Sequence, residues 1–492
     1  MTSLNSFSRR SRLALAVFSA ALFAGSPLAA RQALDRTKIP PPAKQPALHV
    51  PAWTRARLGN GADLIVSEKH DLPLVSFTIT FIGGSNQFDP ADRAGIGSMV
   101  ASMLSEGTTT KDGDMLSNAL QLLGTTVNTN IGGETGSIGF LSTTSKFAST
   151  LDVVADMLVN PTFPADALER QRAQRLIALR QAKDRTTSIA TVVFPKVLYG
   201  DEHPYGRSPS EASIQSITRD QIVAYHKNYF RPGRAIITVV GDITAPAVKP
   251  VIERTLSAWA PGGERPSFAY PQVPERRPTT IYLVDKAGAA QSTFTLGNSG
   301  PPRSTSDYFA LQVMNRILGG QFQSRLNANI REEKGYSYGV SSSFAFGKGP
   351  GPFRAGGDVV TAKSDAALVE FMKELRGIGG SRPITEDELA TAKDGLIQRL
   401  PDQFASVTAI NSAITGIYVQ GLPEDFYQKF GATVSEITKE DVVRVAKQYI
   451  DLEHLAIVIV GDRASIEGPL KGTNIAPIRQ LDLEGNPRRT DQ

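Results

Sequence analysis

Residues 217–242 read ITRDQIVAYHKNYFRPGRAIITVVGD, and residues 437–462 read ITKEDVVRVAKQYIDLEHLAIVIVGD. The offset is 220 and needs no gap. Identities include Ile217/Ile437, Lys227/Lys447, Tyr229/Tyr449 and Asp242/Asp462. Both stretches have the same local reading. A threonine precedes a helix with acidic residues in its first turn, a pattern that caps the free N–H groups there. An apolar, β-branched run follows and ends in Gly-Asp, as a buried strand does. Matching at this density and in register identifies a duplicated domain.

Working outward, each half begins alike. A strand is expected at Leu74–Gly83 in the first half and at Thr293–Leu296 in the second. A helix is expected next, at Gly95–Ser105 and at Ser306–Leu318, and further strands and helices alternate after it. A strand at Gly136–Ser142 and a long helix at Ala165–Asp184 belong to this pattern. The mixture predicts an α+β fold: two homologous domains, each a mostly antiparallel sheet packed with helices. Residues 261–278 hold five prolines and two glycines and read as the linker. The domains are then 52–260 and 279–480, with an exposed leader at 31–51 and a tail at 481–492.

Residues 1–30 read as a secretory signal. Arg9, Arg10 and Arg12 precede an apolar run, Leu13–Ala24, that is too short to span a bilayer, and Ala29 and Ala30 offer cleavage sites. A retained anchor is the alternative. No later segment is long and apolar enough to cross a membrane. Removing the signal lowers the net charge from +5 to +2, so the basic balance is no nucleic-acid footprint. The expected location is the periplasm. The chain has five histidines and no cysteine, which excludes disulfides, thiolate metal sites and thiol nucleophiles. No two of His49, His70, His203, His226 and His454 have the spacing of a helix-borne pair.

Several segments resemble the M16 peptidase family (pitrilysin, insulinase and mitochondrial processing peptidase). They are GIGSMVASMLSEGT at 95–108, the helix 167–181, the run 198–232, VVGD at 239–242, and RILGGQFQSRLNANIREEKGYSYGVSSSF at 316–344. The resemblance implies two LuxS/MPP-like metallohydrolase domains. It also implies a zinc site on the first helix, His-x-x-Glu-His, completed by a distal Glu from a later helix. Two His at i and i+4 share a helix face and bind the metal, and the Glu polarises water. Here the aligned positions are Ser98, Ala101 and Ser102, and the distal position falls near Ala178. Ligands and base are replaced together, so this chain is expected to bind no zinc and to be inactive alone.

Arg331 and Tyr338 resemble the family's Arg/Tyr pair, which faces the zinc domain across a substrate chamber. A guanidinium and a phenol can donate to a peptide carbonyl and to the oxyanion formed on attack. The competing reading pairs Arg331 within its own helix and turns Tyr338 to the core. Strand alternation puts Tyr336 on the same face as Tyr338, which leaves Tyr336 in competition. Gly335–Gly339 matches G-x-S-x-G, but a helix precedes and a strand follows, the reverse of a nucleophile elbow. Gly132-Gly133 and Gly319-Gly320 precede no Lys-Ser/Thr pair, so they are no phosphate loops. Val127–Phe140 is a plausible sheet edge for peptide addition. The resemblance implies the Arg/Tyr subunit of a heterodimeric zinc endopeptidase acting on peptides or unfolded proteins. Its zinc would lie in a partner with an intact His-x-x-Glu-His motif. The alternative is an inactive M16-like peptide-binding or scaffold protein.

Overall fold

The two apolar runs that end in Gly-Asp become central strands of two six-stranded sheets. The computed structural model describes residues 48–275 and 277–488. The signal, residues 31–47 of the leader and residues 489–492 of the tail lie outside the described residues.

The first sheet holds β1 (Thr54–Arg57), β2 (Asp63–Glu68), β3 (Leu74–Ile82), β4 (Val127–Ile131), β5 (Thr135–Thr143) and β6 (Ala235–Gly241), in the order β1-β2-β6-β3-β5-β4. The second holds β7 (Thr280–Asp285), β8 (Gln291–Ser299), β9 (Ser337–Phe344), β10 (Pro352–Val360), β11 (Ala456–Gly461) and β12 (Ile478–Leu481), in the order β12-β7-β11-β8-β10-β9. Five strands therefore correspond one for one. The sixth comes from opposite chain ends. β1 is antiparallel to β2, whereas β12 is parallel to β7. β2 runs parallel to β6, and β7 to β11; the remaining pairs are antiparallel. Each sheet is thus mixed, with antiparallel pairs in the majority.

Strands precede both expected starting strands. β2 has four consecutive buried residues, Leu64–Ser67, the signature of a strand covered on both faces rather than an alternating one. Thr218 and Thr438 cap the repeat helices Arg219–Tyr229 and Lys439–Tyr449 as expected, each accepting from the third helical N–H. The boundary at 480/481 falls inside β12. At the other end, Leu48 and Val50 pack against the core and Trp53 Nε1 donates to Tyr418 Oη at 2.8 Å, so the described end of the leader is not free.

Every residue of β6 and of β11 is buried. Burial on both faces requires a second cover for each sheet, and the halves supply it reciprocally. The helix Thr186–Tyr199, in the first half by sequence, packs on β8 and β11 of the second sheet. There Ile189, Val193 and Phe194 share a core with Val458 and Val460. The helix Val407–Gln420 packs on β3 and β6 of the first sheet. Its buried Asn411 donates to the carbonyls of Ser76 and Thr238 at 3.3 and 3.0 Å. The equivalent helices of the repeat are thus exchanged. The linker is tied down as well: the Glu134 carboxylate accepts from Tyr205 Oη, Tyr270 Oη and Lys348 N at 2.8–2.9 Å, joining the β4–β5 turn to the linker and the β9–β10 turn. No helix among the described residues is long and apolar enough to cross a membrane.

Candidate functional site

The helix Ile96–Met103 carries Ser98, Ala101 and Ser102, the positions expected to align with the zinc motif. It starts at Gly95, whose φ of 98° favours glycine. The Asp89 carboxylate accepts from Gly95 N at 2.9 Å, Gly97 N at 3.1 Å and Tyr225 Oη at 3.1 Å. Burial raises the Asp89 pKa despite these donors. A Cβ on Gly97 would sit 2.6 Å from Tyr225 Oη and 2.7 Å from Asp89 Oδ1, so a larger residue there would have to displace that hydrogen-bonded pair. Ile96, Met99, Val100 and Met103 face the core. Ser98 and Ser102, one turn apart, remain partly exposed.

A guanidinium lies across that face. Arg175, on the helix Ala165–Ala182, donates from Nη1 to Ser98 Oγ at 3.0 Å. Its Nη2 donates to the Ser98 carbonyl at 2.9 Å and to Ser102 Oγ at 2.8 Å. Burial lowers its pKa, and its Nε is buried without a partner among the described residues. The other two positions do not join this group. Ala101 is buried and its carbonyl accepts from Thr129 Oγ1 at 2.8 Å, whereas Ala178 is exposed.

These residues do not fit the zinc ion that the resemblance implies. Two hydroxyls, two methyl groups and a cation are no ligand set for a divalent ion. Among the described residues, no three His, Cys, Asp or Glu side chains gather to hold a metal. His70 contacts Asp242 and Glu68, His226 contacts the Leu158 carbonyl and His454 contacts Asp451. His203 is buried among Tyr199, Tyr205 and Tyr270.

The second feature lies where β9 begins. Arg331 sits in a wide turn, Ala328–Glu333, closed by bonds such as Lys334 N to Asn329 O at 3.0 Å. The turn is anchored from below. Buried Arg325 grips both oxygens of Glu388 at 2.7 Å, and Asn329 donates to Glu370 and to buried Glu374 at 2.8 Å. Above this base, the Arg331 guanidinium stacks 4.3 Å from the ring centre of Phe322 and pairs with Glu332 at 3.3 Å. Phe322 is 61% exposed and Tyr338 is 90% exposed.

The exposure of Tyr338 has a backbone cause. β9 pairs Val340 with Gly357 and Ser337 with Val359, so Tyr338 and Gly339 together face the single residue Asp358. This is a β-bulge, which breaks strand alternation and re-aims side chains. Ser337 fastens it: Oγ donates to the Asp358 carbonyl at 2.6 Å and accepts from Gly339 N at 3.1 Å. The expectation that Tyr336 and Tyr338 share a face is therefore corrected. Tyr336 precedes the strand and packs against the core, while Tyr338 projects into solvent. Nor does Tyr338 turn to the core. The serine of G-x-S-x-G is this same bulge-fastening Ser337.

The sheet edges differ. Gly132 N bonds to Thr135 O at 2.9 Å, which sets the ladder so that Val127, Thr129 and Ile131 point their backbone groups outward. Those groups have no hydrogen-bond partner among the described residues. The edge is thus β4 alone; β5, the rest of the expected run 127–140, is interior. At the other sheet, Val340 N bonds to Asn327 Oδ1 and Ser342 N to the Gly319 carbonyl, closing the edge of β9. Gly319 is glycine because Ser342 approaches too closely for a Cβ. Sequence reasoning missed Arg175, Phe322 and the role of Ser337. Arg175 had a signal, since it lies three residues before Ala178 on the same helix face.

Fold and site together define a protein of two homologous α+β domains in which a guanidinium bridges the helix Ile96–Met103 to a second helix. The chain belongs to the M16 peptidase family. The profile described as "Insulinase (Peptidase family M16)" matches residues 64–199, and "Peptidase M16 inactive domain" matches residues 216–396. The "Uncharacterized zinc protease YmxG" of Bacillus subtilis (strain 168) is 25% identical over 285 residues, covering 58% of this chain and 68% of that protein. The "Non-peptidase homolog YmxG" of Helicobacter pylori is 21% identical over 403 residues, covering 81% and 92%. The crystal structure of a peptidase M16 inactive domain from Pseudomonas fluorescens aligns with a TM-score of 0.76 at 26% identity, over 83% of this chain and 98% of that one.

Proposed function

We propose that this chain is the Arg/Tyr-bearing subunit of a two-chain M16 zinc endopeptidase in the periplasm. The observation that carries the reading is an asymmetry. Ser98, Ala101, Ser102 and Ala178, which the resemblance aligns with the zinc motif, offer no metal ligand, while Arg331 and Tyr338 stand on an anchored turn and a fastened bulge with Tyr338 almost fully exposed. The exposed Tyr338 phenol is free to donate a hydrogen bond to a ligand. In this reading Arg331 and Tyr338 donate hydrogen bonds to the scissile carbonyl and to the oxyanion that develops on attack. A His-x-x-Glu-His motif in the partner would hold zinc, which would supply the activation of water. The open edge of β4 takes an extended peptide by backbone pairing, which tolerates varied sequences.

That same edge supports a second reading, a non-hydrolytic peptide-binding or scaffold protein. Co-purification from the native source, then a peptidase assay with and without chelator, separates the two. The first expects an M16 partner and chelator-sensitive hydrolysis by the pair. The second expects peptide binding with no hydrolysis in any fraction.

A further inference from the structure

Arg175 joins the same two helices that the family resemblance would join through zinc. One helix carries the His-x-x-Glu-His positions, and the other carries both Arg175 and, one turn on, Ala178. Three hydrogen bonds run from one guanidinium to Ser98 Oγ, the Ser98 carbonyl and Ser102 Oγ. The two hydroxyls are further held by their own helix: Ser98 Oγ donates to Gly95 O at 2.9 Å and Ser102 Oγ donates to Ser98 O at 3.1 Å. The cation is therefore met by oxygens whose positions are fixed. A partly buried guanidinium is ordinarily stabilised by a carboxylate. Here burial acts on it alone, and the oxygens that hold it are neutral.

We propose that Arg175 is the resident cation of this degenerate site, taking over the cross-link between the two helices and barring divalent metal from it. Loss of the ligands makes zinc binding weak; Arg175 makes it unfavourable even if the ligands return. A positive charge a few ångströms from a divalent ion in a half-buried site repels it strongly. The Arg175 fork also consumes the hydroxyl and carbonyl oxygens of the face. This inference does not depend on the role of Arg331 and Tyr338.

The test uses the full chain in three forms, with Zn²⁺ and Co²⁺ as probes. In the otherwise native chain, Arg175→Leu lowers the melting temperature by about 2 °C or more and speeds amide exchange in both helices, and chelator has no effect on the parent. An unchanged melting temperature and exchange pattern overturn the cross-link. The second form restores the motif with Ser98→His, Ala101→Glu, Ser102→His and Ala178→Glu while keeping Arg175. The third adds Arg175→Leu. The third form binds zinc stoichiometrically and gives the cobalt absorption of a four-coordinate site, and the second binds at least about 100-fold more weakly. Equal affinity in the two, or no binding in either, overturns the exclusion.

Discussion

Ser337→Ala removes the fastening of the β9 bulge without touching Arg331 or Tyr338. The hydroxyl gives one bond to the Asp358 carbonyl at 2.6 Å and takes one from Gly339 N at 3.1 Å. Each such bond contributes about 1 kcal/mol net, and a backbone group left unpaired costs up to about 2 kcal/mol more. Gly339 is exposed, so water replaces part of that loss. The expected destabilisation is about 1–2 kcal/mol, read as a shift in the denaturant midpoint with an unchanged slope. The consequence for Tyr338 is larger than this figure suggests, because the bulge alone departs from the alternation that turns residues 340 and 342 inward. In the proposed complex the loss of aim lowers kcat/KM about 10-fold, close to the effect of Tyr338→Phe, since about 1.4 kcal/mol of transition-state interaction is a factor of ten. Restoring the hydroxyl with Ser337→Thr recovers part of both effects. A variant with native midpoint, native amide exchange around residues 337–339 and native kcat/KM would refute the reasoning.

Arg325→Met leaves Glu388 without its guanidinium beneath the Arg331 turn and destabilises the fold by about 3 kcal/mol, measured by urea unfolding. Burial opposes ionisation of Glu388, but Arg325 and the Thr385 N–H outweigh it and hold its pKa at about 2 against an ordinary value near 4.5. Its contribution is therefore complete above about pH 4.5 and is lost as the pH falls toward 2; acid titration of the Arg325→Met variant should show a smaller loss across that window than the parent. Asn411→Ala removes the donor that a second-half helix offers to Ser76 and Thr238, and lowers stability by about 2 kcal/mol, read by calorimetry. A serine-directed reagent such as a fluorophosphonate leaves Ser337 unlabelled in the native chain, because its hydroxyl is buried and already bonded.

The duplicated framework was legible because β6 and β11 are continuous apolar runs with one ending, Gly-Asp, and because Thr218 and Thr438 cap equivalent helices. The exchange of helices was not. An apolar stripe such as Ile189, Val193 and Phe194 shows that a helix buries one face, yet carries no mark of which sheet it covers. Chain order places Thr186–Tyr199 in the first half, whereas its buried face covers the second sheet. The site was half legible. The sequence places Ser98, Ala101, Ser102 and Ala178 at the motif positions that the resemblance implies, but the bonds made to Ser98 and Ser102 come from Arg175, a residue of another helix. Tyr336 and Tyr338 look equivalent by period, and only the pairing of β9 with β10 reveals the additional residue that separates them.

The most direct measurement is the specificity constant of the reconstituted pair. This chain, purified and mixed with an M16 chain carrying His-x-x-Glu-His, should hydrolyse peptides that neither hydrolyses at comparable rate alone. Arg331→Ala and Tyr338→Phe should each lower kcat/KM about 10-fold or more while the two chains still co-elute. An unchanged kcat/KM in both variants would contradict the account, as would peptide hydrolysis by the isolated chain.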